Sequence, residues 1–239
     1  MNQKLKYEVF IKGETVDLVI PNEYAIDEDG WHSWFNDPVT TRYLKYGAVP
    51  NTRDKQLEHL QKITAKMNEM LILLVLPKNK DRVVGVTHIG GIDYKSRSGH
   101  FGLVMGTRNR AVGDIFQSLE TKARMVEHAF EVMGLERIWG AQVVDLEVWQ
   151  RYQLLLGFKP EGVTRKSFRK GHKAYDEVIT SCLLEDYLML KEARNGQYWP
   201  GRLKTAELIK KIPNESIVDQ VADSIRTAVG QYIEKIDLY

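Results

Sequence analysis

The sequence predicts a mixed α/β fold of the α+β kind: a mixed central sheet, a crossover helix after the fourth strand, and a C-terminal helical extension. Three observations carry the prediction. Strand-like and helix-like stretches follow one another as strand, strand, helix, strand, helix, strand, strand, an order that needs one central crossover. Apolar residues Ile115, Leu119, Ala123, Val126, Ala129, Phe130 and Met133 recur at three- and four-residue spacing, a helix of about five turns. The chain has 239 residues, 43% hydrophobic and 28% charged, enough to bury a full core.

The elements follow in order. Residues 7–20 alternate around "KGE", predicting a hairpin or a pair of strands. Residues 27–47 read as a short helix ended near Asp37-Pro38, then an aromatic loop. Thr52 can cap a helix reaching about Met67, with Leu57, Leu60 and Ile63 inward. "EMLILLVLPKNKDRVVGVTHIGGIDY" gives a strand, a polar turn and a strand, and 98–106 gives another. After the long helix, which Gly134 can end, 137–144 is a strand and "LEVWQRYQLLLGF" a helix closed by Gly157. Two long strands then meet at "RKGH". Residues 1–187 form the expected main domain, and 188–239 the extension. In the extension, Ile217, Val221, Ile225, Val229, Tyr232 and Ile236 make an apolar stripe that packs on its own domain or forms a homodimer contact.

Bulk properties narrow the function. A net charge of +2 points to no nucleic-acid partner. The single cysteine, Cys182, allows no internal disulfide and fits a reducing compartment. No apolar signal core opens the chain, and "MLILLVL" (70–76) is too short for a bilayer. A cytoplasmic protein with no membrane partner is expected. Six scattered histidines and one cysteine offer no metal-ligand spacing, so no metal is expected.

The stretch "RNRAVGDIFQSL" (108–119) places two arginines and a glycine where the long helix starts. A helix N-terminus presents unpaired N–H groups and a positive dipole end, so after a strand it can cradle phosphate. Amides of Arg110, Ala111, Val112, Gly113 and Asp114 would face the ligand, and Arg108 and Arg110 would add charge-assisted bonds. The alternative is a crossover turn whose arginines face water.

With its context, the region from 98 to 162 resembles the GNAT superfamily of acyl-CoA-dependent N-acyltransferases. The family's Gln/Arg-x-x-Gly-x-Gly/Ala turn appears as Arg108-x-x-Ala111-x-Gly113, with alanine in the first glycine slot. Its asparagine, tyrosine and Gly-Phe landmarks fall on Asp145, Tyr152 and Gly157-Phe158. "WHSWFNDPVTTRYL" is similar to the Trp-x-Asn-Asp-Pro segment of the RimJ/RimL-type branch, and the tryptophan-rich start also resembles amino-sugar N-acetyltransferases.

The resemblance implies acetyl transfer from acetyl-CoA, as acyl-donor co-substrate, to a primary amine. It assigns the pantetheine arm to the backbone of Leu103, Val104 and Met105, the diphosphate to 108–114, and a further cofactor contact to Asp145. Glycines 99, 102 and 106 either bend that strand or relieve crowding. Tyr152 takes the slot of the general acid. Some relatives carry a glutamate where this chain has Gly140, which leaves His88 and His100 as titratable groups for proton removal. The acceptor side offers Trp31, Trp34, Asn36, Tyr43 and Tyr46, facing Arg165, Arg169, Lys170 and His172. A small-molecule amine, including an amino sugar nucleotide, is the expected acceptor. The alternatives are a protein N-terminus, such as that of a ribosomal protein, and a non-catalytic CoA-binding module.

Overall fold

The computed structural model describes residues 6–65, 69–106 and 114–236. Within them, eight strands form one sheet in the order β1-β2-β3-β4-β5-β6-β8-β7. The strands are β1 (Val9–Ile11), β2 (Val16–Val19), β3 (Leu71–Pro77), β4 (Gly85–Asp93), β5 (Ser98–Met105), β6 (Arg137–Val143), β7 (Lys159–Lys170) and β8 (Lys173–Leu183). Every neighbouring pair is antiparallel except β5 and β6. That parallel pair requires a crossover, supplied by α4 (Asp114–Glu131). Helix α4 follows β5, the fourth strand when the short β1 is left uncounted.

Before the crossover lie α1 (Glu23–Asp27), α2 (Trp31–Trp34) and α3 (Arg53–Ala65). Thr52 caps α3 as expected, its Oγ1 accepting from Lys55 N–H at 3.3 Å. Leu60 and Ile63 are buried, with Leu57 packed alongside. Helix α1 was not anticipated, although its signal stands in the chain: Asn22 accepts from Ala25 N–H at 3.1 Å. After β6 come α5 (Glu147–Tyr152) and a 3₁₀ turn, Gln153–Leu156, ended by Gly157 at φ +74°. Helices α6 (Leu184–Ala193), α7 (Arg202–Ile209) and α8 (Ile217–Lys235) complete the chain. The sequence reading had a turn before α7 but not α7 itself. That helix starts after Gly201 without a side-chain cap and buries only Thr205, so it carries no apolar stripe to read.

Side chains alternate across the sheet and build two cores. Ile72 and Leu74 of β3 join Trp31, Trp34, Leu60 and Ile63 beneath α1–α3. Leu73 and Val75 join Leu119, Ala123, Val126, Phe158 and Tyr187 beneath α4 and α6. Tyr198 and Trp199, 0% and 4% exposed, belong to this second core. The expected division between 187 and 188 therefore falls inside α6, and the chain beyond it returns to the main core.

The terminal stripe packs on its own domain only at its start. Helix α8 touches β7 and α5 and buries Val218. Ile225, Val229, Tyr232 and Ile236 are exposed.

Candidate active site

The site follows from the way β5 and β6 part. They pair only over Ser98–His100 against Arg137–Trp139. Beyond that, β6 continues along β8 to Val143 and β5 along β4 to Met105. Among the described residues, the facing edge of β5 is left without a strand. Gly106 N–H donates to Val84 O at 2.8 Å, and Gly102 O accepts from Thr87 Oγ1 at 3.0 Å, so even-numbered residues turn their main chain toward β4. Alternation then turns Leu103 and Met105 to the open edge and leaves Val104 on the β4 side, in register with Val86. Of the three backbone positions expected to meet a ligand, two face the opening.

Glycines 102 and 106 relieve crowding, as Gly99 does against Ile89. A Cβ on Gly102 would lie 2.0 Å from His88 Cε1, and one on Gly106 2.0 Å from Trp34 Cδ2. Each of these two glycines makes room for a ring from a neighbouring element.

His100 stands at the fork, the last β5 residue paired with β6. Its ring packs edge-on to Trp139, centroids 4.8 Å apart, and lies 6.0 Å from His88. His88 sits one strand back, opposite Gly102. Burial, followed by the neighbouring His100 and His59, pushes His88 down to about 4. Burial also lowers His100, helped by nearby Lys122 and opposed by Glu177. Both imidazoles are therefore neutral at pH 7, and at about 4 His88 is a weak proton acceptor.

Tyr152 closes α5, packed against the core beneath α4, with no hydrogen bond among the described residues. Asp145 is exposed in the turn after β6, where its Oδ2 accepts from the Tyr43 hydroxyl at 2.9 Å. Burial, then the bond to Asp145, raises the Tyr43 pKa and keeps it a donor. The aromatic loop and the cationic hairpin are likewise in contact rather than on separate walls. Lys170 donates to Leu44 O at 2.9 Å and to Tyr46 O.

The remaining expected residues have structural work. Trp31 and Trp34, 1% and 5% exposed, are core residues beneath α1–α3 and not an accessible wall, because the sheet needs that face covered. Asn36 spends its amide on Asn51, donating to its O at 2.9 Å and accepting from its N–H at 2.7 Å. Arg108, Arg110, Ala111, Val112, Gly113 and the Asp114 side chain lie outside the described residues.

One residue was missed. Lys122 of α4 is 1% exposed and has no acidic partner among the described residues. Its Nζ lies 3.3 Å from the Phe158 ring centroid and 5.0 Å from that of Phe101, and donates to Gln153 Oε1 at 2.5 Å. The signal was available: Leu119, Lys122 and Val126 share the three- and four-residue spacing of the buried stripe.

Burial pushes the Lys122 pKa well below that of a free lysine. The unfolded chain then binds a proton that the native chain refuses. The stability at stake is present above the free-lysine value near 10.4 and is lost as pH falls toward the depressed native value. Urea denaturation of Lys122→Met at pH 7 and pH 9.5 is expected to show a flatter rise in stability than the parent chain. Equal slopes would contradict the assignment. The other titratable neighbours are His100, its pKa lowered, and Cys182, pushed up to about 12.

The chain matches no known protein-family model and no curated protein. It resembles solved acetyltransferases in fold. Spermidine N-acetyltransferase from Vibrio cholerae, solved with CoA and spermine, superposes with a TM-score of 0.64 at 18% identity, covering 74% of this chain and 99% of that one. Ribosomal-protein-S5-alanine acetyltransferase from Vibrio fischeri gives 0.60 at 18%, covering 75% and 98%. The microcin C7 self-immunity acetyltransferase MccE, solved with acetyl-CoA and AMP, gives 0.60 at 19%, covering 72% and 94%. These likenesses show the fold.

Proposed function

We propose that the chain is an acetyl-CoA-dependent N-acetyltransferase that acylates a primary amine. The observation that carries the reading is the open edge of β5 where it leaves β6, with Leu103 and Met105 turned outward. Main-chain donors and acceptors there fit an amide-containing arm such as pantetheine. Acetyl-CoA would supply an acetyl thioester to the fork. The chain from Arg108 to Gly113, reading on into α4, would hold its diphosphate. Asp145, at the other margin, would sit near the donor.

The residues then divide the proton work. The acceptor amine must be neutral to attack, and His100 at the fork is the better placed of the two histidines to receive its proton through water. Tyr152, free to donate, would give its phenolic proton to the departing sulfur. Tyr43 and the loop it anchors would border the acceptor.

A small-molecule amine, an amino sugar nucleotide included, is the first choice of acceptor. The second reading, a protein α-amine, is favoured by the lowered pKa values of both histidines. An α-amine titrates near 8, against about 10.4 for a lysine-like amine, and asks less of its base. The exposed half of α8 supports a homodimer contact, and the buried Cys182 suits a reducing cytoplasm.

The test is thiol release from acetyl-CoA against a panel of polyamines, amino-sugar nucleotides and N-terminal peptides. One class is expected to release CoA at a rate well above the amine-free control. Thermal stabilisation by acetyl-CoA without release from any amine would instead mark a binding module. Absence of both would refute the proposal.

A further inference from the structure

Lys122 is costly where it stands. A buried amine without a carboxylate forfeits its hydration for one hydrogen bond to an amide. What that bond holds gives the residue a role. Gln153 Oε1 accepts from Lys122 Nζ at 2.5 Å and from Gln142 Nε2 at 3.2 Å, while Gln153 Nε2 donates to Gln142 Oε1 at 2.9 Å. Gln142 lies on the stretch of β6 that has left β5, and its Nε2 also reaches Thr180 Oγ1 of β8 at 3.4 Å. One amine on α4 therefore ties together the margin of the fork and the segment that follows Tyr152.

The place it grips is a weak one. Helix α5 ends at Tyr152, and the chain tightens to 3₁₀ geometry at Gln153. Such turns have poorer hydrogen bonds and yield more easily. Gln153 is 0% exposed, its amide is bonded to both Lys122 and Gln142, and Tyr152 is the adjacent residue.

We propose that Lys122 is a positioning residue: through Gln153 it sets the orientation of the Tyr152 side chain at the end of α5. The proposal rests on the acetyl-transfer reading for its kinetic consequence but not for its structural one. A residue that merely filled the core would be replaced by methionine with no consequence at Tyr152. A positioning residue gives a molecule that is no less stable but works less well.

The experiment uses the full chain labelled with 3-fluorotyrosine, in which the Tyr152 resonance is identified by its loss in Tyr152→Phe. Lys122→Met is expected to keep the parent melting temperature or raise it, to shift or broaden the Tyr152 resonance, and to leave that of Tyr24 in place. With the acceptor found by the amine panel, kcat is expected to fall by about 10- to 100-fold with the acetyl-CoA KM within about 2-fold, the scale of a misplacement near 1 Å. Gln153→Leu should reproduce both effects and add little to Lys122→Met. Gln153→Glu, which keeps an acceptor for the amine, should retain most of the parent behaviour. An unmoved Tyr152 resonance in Lys122→Met overturns the proposal whether or not turnover has been found. So does an unchanged kcat, or a fall in kcat matched by lost folded protein. An unmoved resonance beside active parent enzyme leaves acetyl transfer standing. A moved resonance without turnover from any amine upholds the positioning and refutes the transfer reading.

Discussion

Tyr152→Phe is expected to lower kcat by between about 10²- and 10⁴-fold while leaving acetyl-CoA affinity within a factor of about 2, the range for removing a positioned general acid. The sulfur of an intact thioester is scarcely basic and gains proton affinity only as its bond to carbon breaks, so a general acid cannot protonate it in advance. Donation therefore has to accompany the departure of sulfur, which requires the hydroxyl to be held at that atom. Tyr152 makes no competing hydrogen bond among the described residues, and its ring is anchored by the core that holds Trp149 and Leu156. Phenylalanine preserves that anchoring and removes only the proton. Turnover unchanged across the pH profile would remove Tyr152 from the mechanism.

Truncation after Leu190 is expected to abolish cooperative folding, whereas truncation after Pro213 is expected to leave a folded chain. The first cut removes Tyr198 and Trp199 from the core. Tyr198 donates to Leu156 O at 2.6 Å, and Trp199 Nε1 donates to Glu14 Oε2 at 2.8 Å. Arg194 adds bonds to Tyr198 O and Leu155 O at 2.7 and 2.6 Å. Losing a buried aromatic costs about 3–5 kcal/mol, and two such losses approach the whole stability of an ordinary domain, about 5–15 kcal/mol. The second cut removes α8, in which Val218 alone is buried. Thermal denaturation followed by circular dichroism distinguishes them. A cooperative transition near the parent melting temperature after the first cut would show the extension to be dispensable.

Where side-chain spacing reports burial directly, the sequence was easy to read. Leu119, Ala123, Val126 and Ala129 mark the inner face of α4, and all are fully buried. Gly157, in the left-handed region, ends the 3₁₀ turn that continues α5, as its position suggested. The parts that escaped depend on contacts between distant segments. Trp31 and Trp34 look the same in sequence whether they line a cleft or fill a core, and only the fold beneath α1–α3 decides. Gly102 and Gly106 were ambiguous because the rings of His88 and Trp34 that require them come from other elements. The Tyr43–Asp145 and Lys170–Leu44 bonds join residues more than a hundred positions apart, and no local pattern announces them. Lys122 was legible by spacing but stands against the usual exclusion of lysine from cores, so composition argued for overlooking it.

The fork between β5 and β6 is the premise on which every assigned role depends, and amide hydrogen exchange measured by NMR probes it residue by residue. Adding acetyl-CoA is expected to slow exchange at the Leu103 and Met105 amides by at least about 10-fold, while Val104, already paired toward β4, changes little. Unaltered exchange at Leu103 and Met105 under saturating acetyl-CoA, or protection confined to another part of the sheet, would contradict the account.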